Sequence, residues 1–253
     1  MSADEAELRR QAERFANELT ATVRGVIGPQ APPFQAVYES GGRRLVIATP
    51  AREDSPSPPI PITIDGKLRL ELSVTLKGTW DGAKDYLAIE ESKAAVRMAG
   101  GNAEPLFRWE YIRHPKSNIP GAHFQVHAHR DEVVYLLLSG GAANRRIKNR
   151  LDQLDRTSPT IPQLSNLHFP VGGARFRPCL EDALQFLVEE FGIDRQDGWK
   201  DVLCEGRRAW RRAQTGVVVR DCPDEAVRVL RSLGYKIEEP HAKPPVSDRL
   251  AMY

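Results

Sequence analysis

The chain contains few cysteines and no long apolar run. Its only cysteines, Cys179, Cys204 and Cys222, are widely spaced and form no CxxC pair. An odd number of such cysteines argues against a disulfide framework or a structural zinc knuckle and favours a reducing compartment. No run of about 18 apolar residues is present, and residues 1–27 carry too many acids and arginines for a signal peptide. We therefore expect a cytoplasmic protein that has no membrane partner.

The chain also lacks a large excess of either charge. Its 36 lysines and arginines nearly balance 34 acidic residues, which leaves a net charge of +2. This balance argues against a dedicated nucleic-acid binder, so any basic surface must be local. There is no Walker loop, GxSxG, HExxH or dinucleotide fingerprint, and we expect no cofactor. A length of 253 residues is sufficient to bury a substantial core.

Periodicity in the sequence predicts the fold class. An apolar stripe predicts a helix over residues 4–27, and alternation around Asp65-Gly66 predicts a β-hairpin. Helical stripes follow from Leu180 to Phe191, from Trp199 to Val217 and from Pro223 to Leu233. This order predicts an α+β fold with an N-terminal helix, an antiparallel sheet of about six strands, and C-terminal helices packed on the sheet.

The same patterns predict the domain organisation. Residues 1–238 are expected to form a single α+β domain with an exposed proline-rich loop at 50–61, and residues 239–253 a flexible tail. Residues 131–138 are compatible with a helix or a strand, of which we favour the helix. Further strand candidates are 34–39, 43–49, 85–91, 105–113, 122–129 and 166–170.

One strand candidate, 122–129, carries three of the six histidines on its polar side, namely His123, His127 and His129. The strand before it, 105–113, places Arg108 and Glu110 on its own polar side. We assume a register in which His114 opposes His123. Glu110 then opposes His127, and Arg108 opposes His129.

This face has the side chains that phosphodiester chemistry requires. His127 and His129 are the acid and base candidates, because the imidazole pKa lies close to neutral pH. Arg108 would stabilise the phosphate, and Glu110 would orient a ring. Candidate substrate-binding residues are His114, His123, Arg175 and Arg177. The simpler interpretation is an ordinary polar sheet surface.

A second basic cluster lies on the predicted helix around Trp210. It is a candidate nucleic-acid or acidic-partner surface, and the simpler interpretation is a solvated helix face. Its members are Arg207, Arg208, Arg211 and Arg212.

Residues 105–192 resemble toxins of the TumE type from toxin–antitoxin modules. The resemblance rests on Trp109-Glu110-Tyr111, the histidine strand and the Leu180 to Phe191 helix. It implies an RNA-acting protein, a metal-independent ribonuclease of toxin type, with RNA and an antitoxin protein as partners. The segment 167–178 is similar to uncharacterised actinobacterial proteins, and this resemblance implies no activity.

Part of the chain also resembles the cupin family. Gly121, His127-x-His129, Glu132 and Gly140 are similar to the first cupin motif, and residues 170–175 to the second. The resemblance implies a metal site, but Glu132 comes one residue early and Arg175 replaces the last metal-binding histidine. We therefore predict no metal. A non-catalytic protein-binding module is the alternative to the ribonuclease, and a cupin-like metal-binding protein is a further alternative.

Overall fold

A computed structural model of the chain describes residues 3–38, 44–51, 57–81, 86–100, 104–115, 119–127, 152–154, 159, 169–170, 178–238 and 240–241. The long helices are α1 (Ala3–Ile27), α2 (Leu180–Phe191), α3 (Trp199–Asp221) and α4 (Pro223–Ser232). The strands are β1 (Gln35–Tyr38), β2 (Leu45–Ala48), β3 (Ile60–Ile64), β4 (Lys67–Trp80), β5 (Leu87–Met98), β6 (Phe107–Ile112), β7 (Ala122–Val126) and β8 (Phe169–Pro170).

The strands form one antiparallel sheet. Seven of them follow one another in the order β1-β2-β4-β5-β6-β7-β8, and β3 pairs with β4 beside this path. The α+β prediction is confirmed, but the described sheet has eight strands instead of about six. Strands β1, β2 and β8 have only four, four and two residues. Strands are predicted at all three places, 34–39, 43–49 and 166–170, so the estimate of about six strands is too low although each strand is located.

The β3–β4 hairpin forms where the turn residues predict it. Asp65 and Gly66 both have positive φ angles, 51° and 69°, as a two-residue turn between twisted strands requires. The Asp194 carboxylate accepts hydrogen bonds from the backbone N–H groups of Asp65 and Gly66, at 3.0 and 2.8 Å. The turn is thereby attached to the segment between α2 and α3.

Helices cover one face of the sheet, which we call the helix side. Alternate residues of β4 bury their side chains there, and Leu72 is fully buried. On α2, Phe186 meets the Phe107 ring edge-on with the ring centroids 5.3 Å apart. Gly192, with a φ of 61°, ends this helix in the left-handed conformation. The opposite face, which we call the outer side, carries the polar residues of the central strands.

The last two helices differ in how they are packed. Helix α3 lies against α1 so closely that a Cβ at Gly25 would lie 2.8 Å from Val202 Cγ1. Helix α4 has no buried residue, and its neighbours Leu233 and Tyr235 are 68% and 63% exposed. In the part of the chain described above, no helix is long and apolar enough to cross a membrane.

Several predictions concern residues outside the described ranges. They include the helix at 131–138, nearly all of the tail at 239–253, and residues 52–56 of the proline-rich loop. At the end of that loop Pro58 is buried and Ile60 begins β3, so its last residues belong to the sheet. The single domain over 1–238 stays a prediction.

Candidate functional site

The register of β6 and β7 places the polar residues of the outer side. Glu110 opposes His123, and Arg108 opposes Gln125. The assumed register, with Glu110 opposite His127, is therefore wrong by four residues. A shift by an even number keeps every side chain on its predicted face, so the polar residues still share one side of the sheet.

Glu110 and His123 form the centre of this outer cluster. The Glu110 carboxylate lies 3.1 Å from His123 Nε2, and His123 Nδ1 lies 3.1 Å from the Pro120 carbonyl oxygen. Lys93, the neighbour of Glu110 on β5, places Nζ 3.4 Å from the same carboxylate. Since His123 is only 1% exposed and both ring nitrogens have partners, this residue holds the cluster together and does not face a substrate.

Glu110 is kept ionised by its neighbours. Burial alone raises the pKa of this carboxyl, but the His123 hydrogen bond and the charges of Arg108 and Lys93 outweigh burial and lower the pKa below its ordinary value. An ionised Glu110 accepts hydrogen bonds only, as does the Pro120 carbonyl. A neutral His123 ring has one N–H group and can donate to only one of these two acceptors.

His127 follows the last residue of β7 and is arranged differently. Its Nδ1 lies 2.9 Å from the Glu104 carboxylate, and its backbone N–H donates to the Leu106 carbonyl. With Glu104 ionised, Nδ1 must carry a proton, so the neutral ring has its lone pair on Nε2. That Nε2 atom is buried and has no hydrogen-bond partner within the described ranges.

Arg108 lies beside His127 on the same face. It opposes Gln125, two residues before His127, so the two side chains occupy diagonal positions on neighbouring strands, whose Cα atoms are typically about 7–8 Å apart. Its guanidinium donates to the Gln125 side chain at 3.3 Å, and its Nε lies 3.7 Å from the Glu110 carboxylate. That contact is too long for a hydrogen bond, and the buried Nε has no hydrogen-bond partner among the described residues.

The other predicted residues of this site lie apart from the cluster or outside the described residues. His114 lies beyond the end of β6 and is exposed. His129, Arg175 and Arg177 lie outside the described residues, as does Glu132 of the cupin-like motif. No group of three or more metal-ligating side chains occurs within the portion that the structure describes, which leaves the cupin-like metal site untested.

The arginine cluster on α3 divides into two parts. Arg207 bonds to Asp182 at 2.9 Å and to Gln185 at 2.7 Å, and thereby fastens α3 to α2. The other three arginines, Arg208, Arg211 and Arg212, are exposed. Only these three are placed to meet a nucleic acid or an acidic partner.

Sequence reasoning missed Arg113, which is 8% exposed on the helix side of the sheet. The signal was present, because Phe107, Trp109 and Tyr111 form an alternating aromatic series that an arginine then continues. Arg113 donates from Nη1 to the Glu90 carboxylate at 2.8 Å. It lines a cavity between the sheet, α1 and α3.

Comparison with known proteins assigns this chain to no family. No protein-family model matches it, and no curated protein or solved structure shows significant similarity to it. Its function must therefore be inferred from the geometry described above.

Proposed function

We propose that the protein acts on RNA as a metal-independent ribonuclease of toxin type, with His127 as an acid–base residue. The observation that supports this most is the Glu104–His127 pair. A carboxylate that binds one ring nitrogen while the other has no partner among the described residues is the arrangement that general acid–base catalysis uses.

Two cationic side chains of the outer cluster are accessible to a phosphate group. Lys93 and Arg108 lie 3.4 and 3.7 Å from the Glu110 carboxylate, and the Glu104 carboxylate adds a second negative charge next to His127. The side chain of Lys93 is 48% exposed and that of Arg108 is 24% exposed, so both have access to an anion. Such cations can contact the phosphates of an RNA backbone directly, even though the whole chain is nearly neutral.

The proposed reaction is an internal transfer at phosphorus. Because His127 Nε2 is buried in the fold, RNA binding must expose it. It then removes the proton from a ribose 2′-hydroxyl, and the 2′-oxygen attacks the adjacent phosphorus. The bond from phosphorus to the 5′-oxygen breaks, and this oxygen leaves with a proton supplied by a second acid, for which His129 is the candidate. Arg108 stabilises the negative charge on the phosphate oxygens. The products are a 2′,3′-cyclic phosphate and a free 5′-hydroxyl.

The test measures RNA cleavage by the purified full chain in the presence of EDTA. We expect the wild type to cleave, and His127→Ala to lose roughly 10²–10⁴-fold in rate, the usual contribution of general acid–base catalysis. His114→Ala is the matched control, because it removes an exposed histidine outside the cluster. No cleavage by the wild type, or equal cleavage by both variants, would refute the proposal.

A second candidate function, a non-catalytic module that binds a protein partner, rests on a different observation. Apolar side chains are exposed around α4, among them Val229, Leu233 and Tyr235, and exposed apolar surface of this kind often marks a protein contact. Inducible expression separates the two candidates. If growth arrest depends on catalysis, His127→Ala relieves it. If arrest depends on partner binding, Leu233→Asp with Tyr235→Asp relieves it and His127→Ala does not.

A further inference from the structure

Two adjoining cavities separate the sheet from α1 and α3. Their volumes are about 660 and 610 Å³, and Phe15, Glu18 and Ala213 line both. Pockets that bind small molecules typically measure about 300–1,000 Å³. Each of these cavities is therefore large enough for a ligand or for part of one.

The first cavity is mainly apolar. Phe15, Trp109 and Trp210 contribute aromatic rings. Among the described residues its charged lining consists of one cation, Lys93, and four acidic residues, Glu18, Glu110, Glu181 and Glu205. Cys179 is part of the same wall, but burial and its hydrogen bond with Asp182 raise the pKa of this thiol far above its ordinary value. Cys179 is thus a packing residue here and not a nucleophile. This cavity accepts an apolar body and disfavours an anion.

The second cavity carries the opposite charge. Among the described residues, four arginines line it but only one carboxylate, that of Glu18. Three of the arginines, Arg14, Arg212 and Arg220, are exposed at the surfaces of α1 and α3. The fourth is the buried Arg113, so positive charge extends from the surface into the floor of the cavity.

Arg113 distinguishes this cavity from an ordinary surface groove. Its side chain is 9% exposed, and its Nη1 donates a hydrogen bond to the Glu90 carboxylate at 2.8 Å. Its Nε is buried and has no hydrogen-bond partner among the residues that the structure describes. Burying a polar group without a partner is unfavourable, so the ion pair with Glu90 leaves Arg113 incompletely satisfied, as far as the described residues show, beside the cavity.

We propose that the joined cavities bind a small amphiphilic anion, with its apolar body in the first cavity and its carboxylate or phosphate against Arg113, Arg212 and Arg220. Charge decides the orientation of the bound anion, because the carboxylates line the first, apolar cavity and the arginines line the second. This site is on the helix side of the sheet and does not depend on the proposed ribonuclease activity.

Binding is tested by calorimetric titration of the full chain with four probes that share a ten-carbon chain and differ in their head group, each kept below its critical micelle concentration. We expect decanoate and decyl phosphate to bind at one site per chain, and their relative affinities distinguish a carboxylate from a phosphate head. We expect decanol to bind at least about tenfold more weakly, since a hydrogen bond to a charged group contributes about 1.5–3 kcal/mol. Decyltrimethylammonium is expected not to bind.

Two variants locate the site, and a third is the control. Arg212→Gln with Arg220→Gln should weaken decanoate binding about tenfold and leave decanol binding unchanged. Ala213→Trp, at an exposed helix position that lines both cavities, should abolish binding of both probes without lowering the melting temperature. Arg208→Gln with Arg211→Gln removes equal charge from positions of α3 that line neither cavity, and should change nothing.

Three outcomes would overturn the proposal. They are the absence of saturable decanoate and decyl phosphate binding, equal affinity for decanoate and decanol, and binding that survives Ala213→Trp. The last result would place the probe on another apolar surface, such as that around α4.

Discussion

Two acid–base pairs lie on opposite sides of the sheet, where β5, β6 and β7 meet. On the outer side Glu110 pairs with His123, and on the helix side Glu90 pairs with Arg113. The outer pair is surrounded by further partners, namely Lys93, Arg108 and the Pro120 carbonyl. The inner pair lies next to a cavity and retains a buried donor without a hydrogen-bond partner among the described residues.

This difference in hydrogen-bond partners assigns a structural role to the Glu110–His123 pair and a binding role to the Glu90–Arg113 pair. A buried charge is stable only when its hydrogen-bonding groups are satisfied. Both nitrogens of His123 meet this condition within the fold, whereas Arg113 meets it only in part. A buried histidine alone is therefore weak support for catalysis. His127 Nε2 and Arg113 Nε, which have no hydrogen-bond partner among the described residues, indicate the candidate sites better than the buried His123 does.

Removing Arg113 should have the largest effect on stability. Breaking a buried ion pair from one side typically destabilises by 3–5 kcal/mol, and because Glu90 keeps 23% exposure we expect about 3 kcal/mol for Arg113→Met. The double variant Glu90→Gln with Arg113→Met should recover most of this loss, because no charge is then left unpaired. Urea unfolding measures both values. A double variant as unstable as the single one would mean that packing around Arg113 matters more than its charge.

Removing His123 should have an intermediate effect. His123→Ala leaves the Pro120 carbonyl and the Glu110 carboxylate without a major partner, and an unsatisfied buried group typically costs about 1–3 kcal/mol. His114→Ala, at an exposed position, should change the free energy of unfolding by less than about 0.5 kcal/mol. Thermal and urea unfolding of the two variants test the comparison. Equal stability of the His123→Ala and His114→Ala variants would show that the outer cluster does not hold β6 and β7 together.

The pH dependence of Glu110 should give the smallest effect. Because the folded-state pKa of Glu110 lies below its ordinary value of 4.5, the ionised carboxylate stabilises the fold at pH values above 4.5. This stabilisation is lost as the pH falls through the lowered folded-state pKa. The stability difference between wild type and Glu110→Gln should therefore be present near neutral pH and shrink as the pH is lowered below 4.5. A difference that stays constant over this range would contradict the lowered pKa.

The fold was predictable because its elements carry strong periodic patterns. Leu70, Leu72, Val74 and Leu76 alternate along β4, and the structure buries all four on the helix side. The apolar stripe of α2 ends at Gly192, where the helix also ends. These patterns depend on local geometry, with two residues per strand repeat and 3.6 per helix turn, so the sequence contains them directly.

The candidate site was predictable only in part. Alternation placed Arg108, Glu110, His123 and His127 on one face, but it cannot distinguish registers that differ by four residues, because each such register preserves the facing. The prediction therefore paired Glu110 with the wrong histidine. Glu104, the partner of His127, lies before β6 and has no pattern that would identify it.

The sequence by itself determined which side chains lie on which face of the sheet and, to within a residue, where α1, α2 and α4 begin and end, whereas α3 continues four residues past the predicted Val217 to Asp221. Only the tertiary structure decided which of them meet. Glu90 and Arg113 are 23 positions apart and are brought together by strand pairing and by an irregularity in β5. The cavity beside them forms between α1, α3 and the sheet. Periodicity is a property of neighbouring residues, whereas partners and cavities depend on how distant elements pack, and no local pattern specifies that packing.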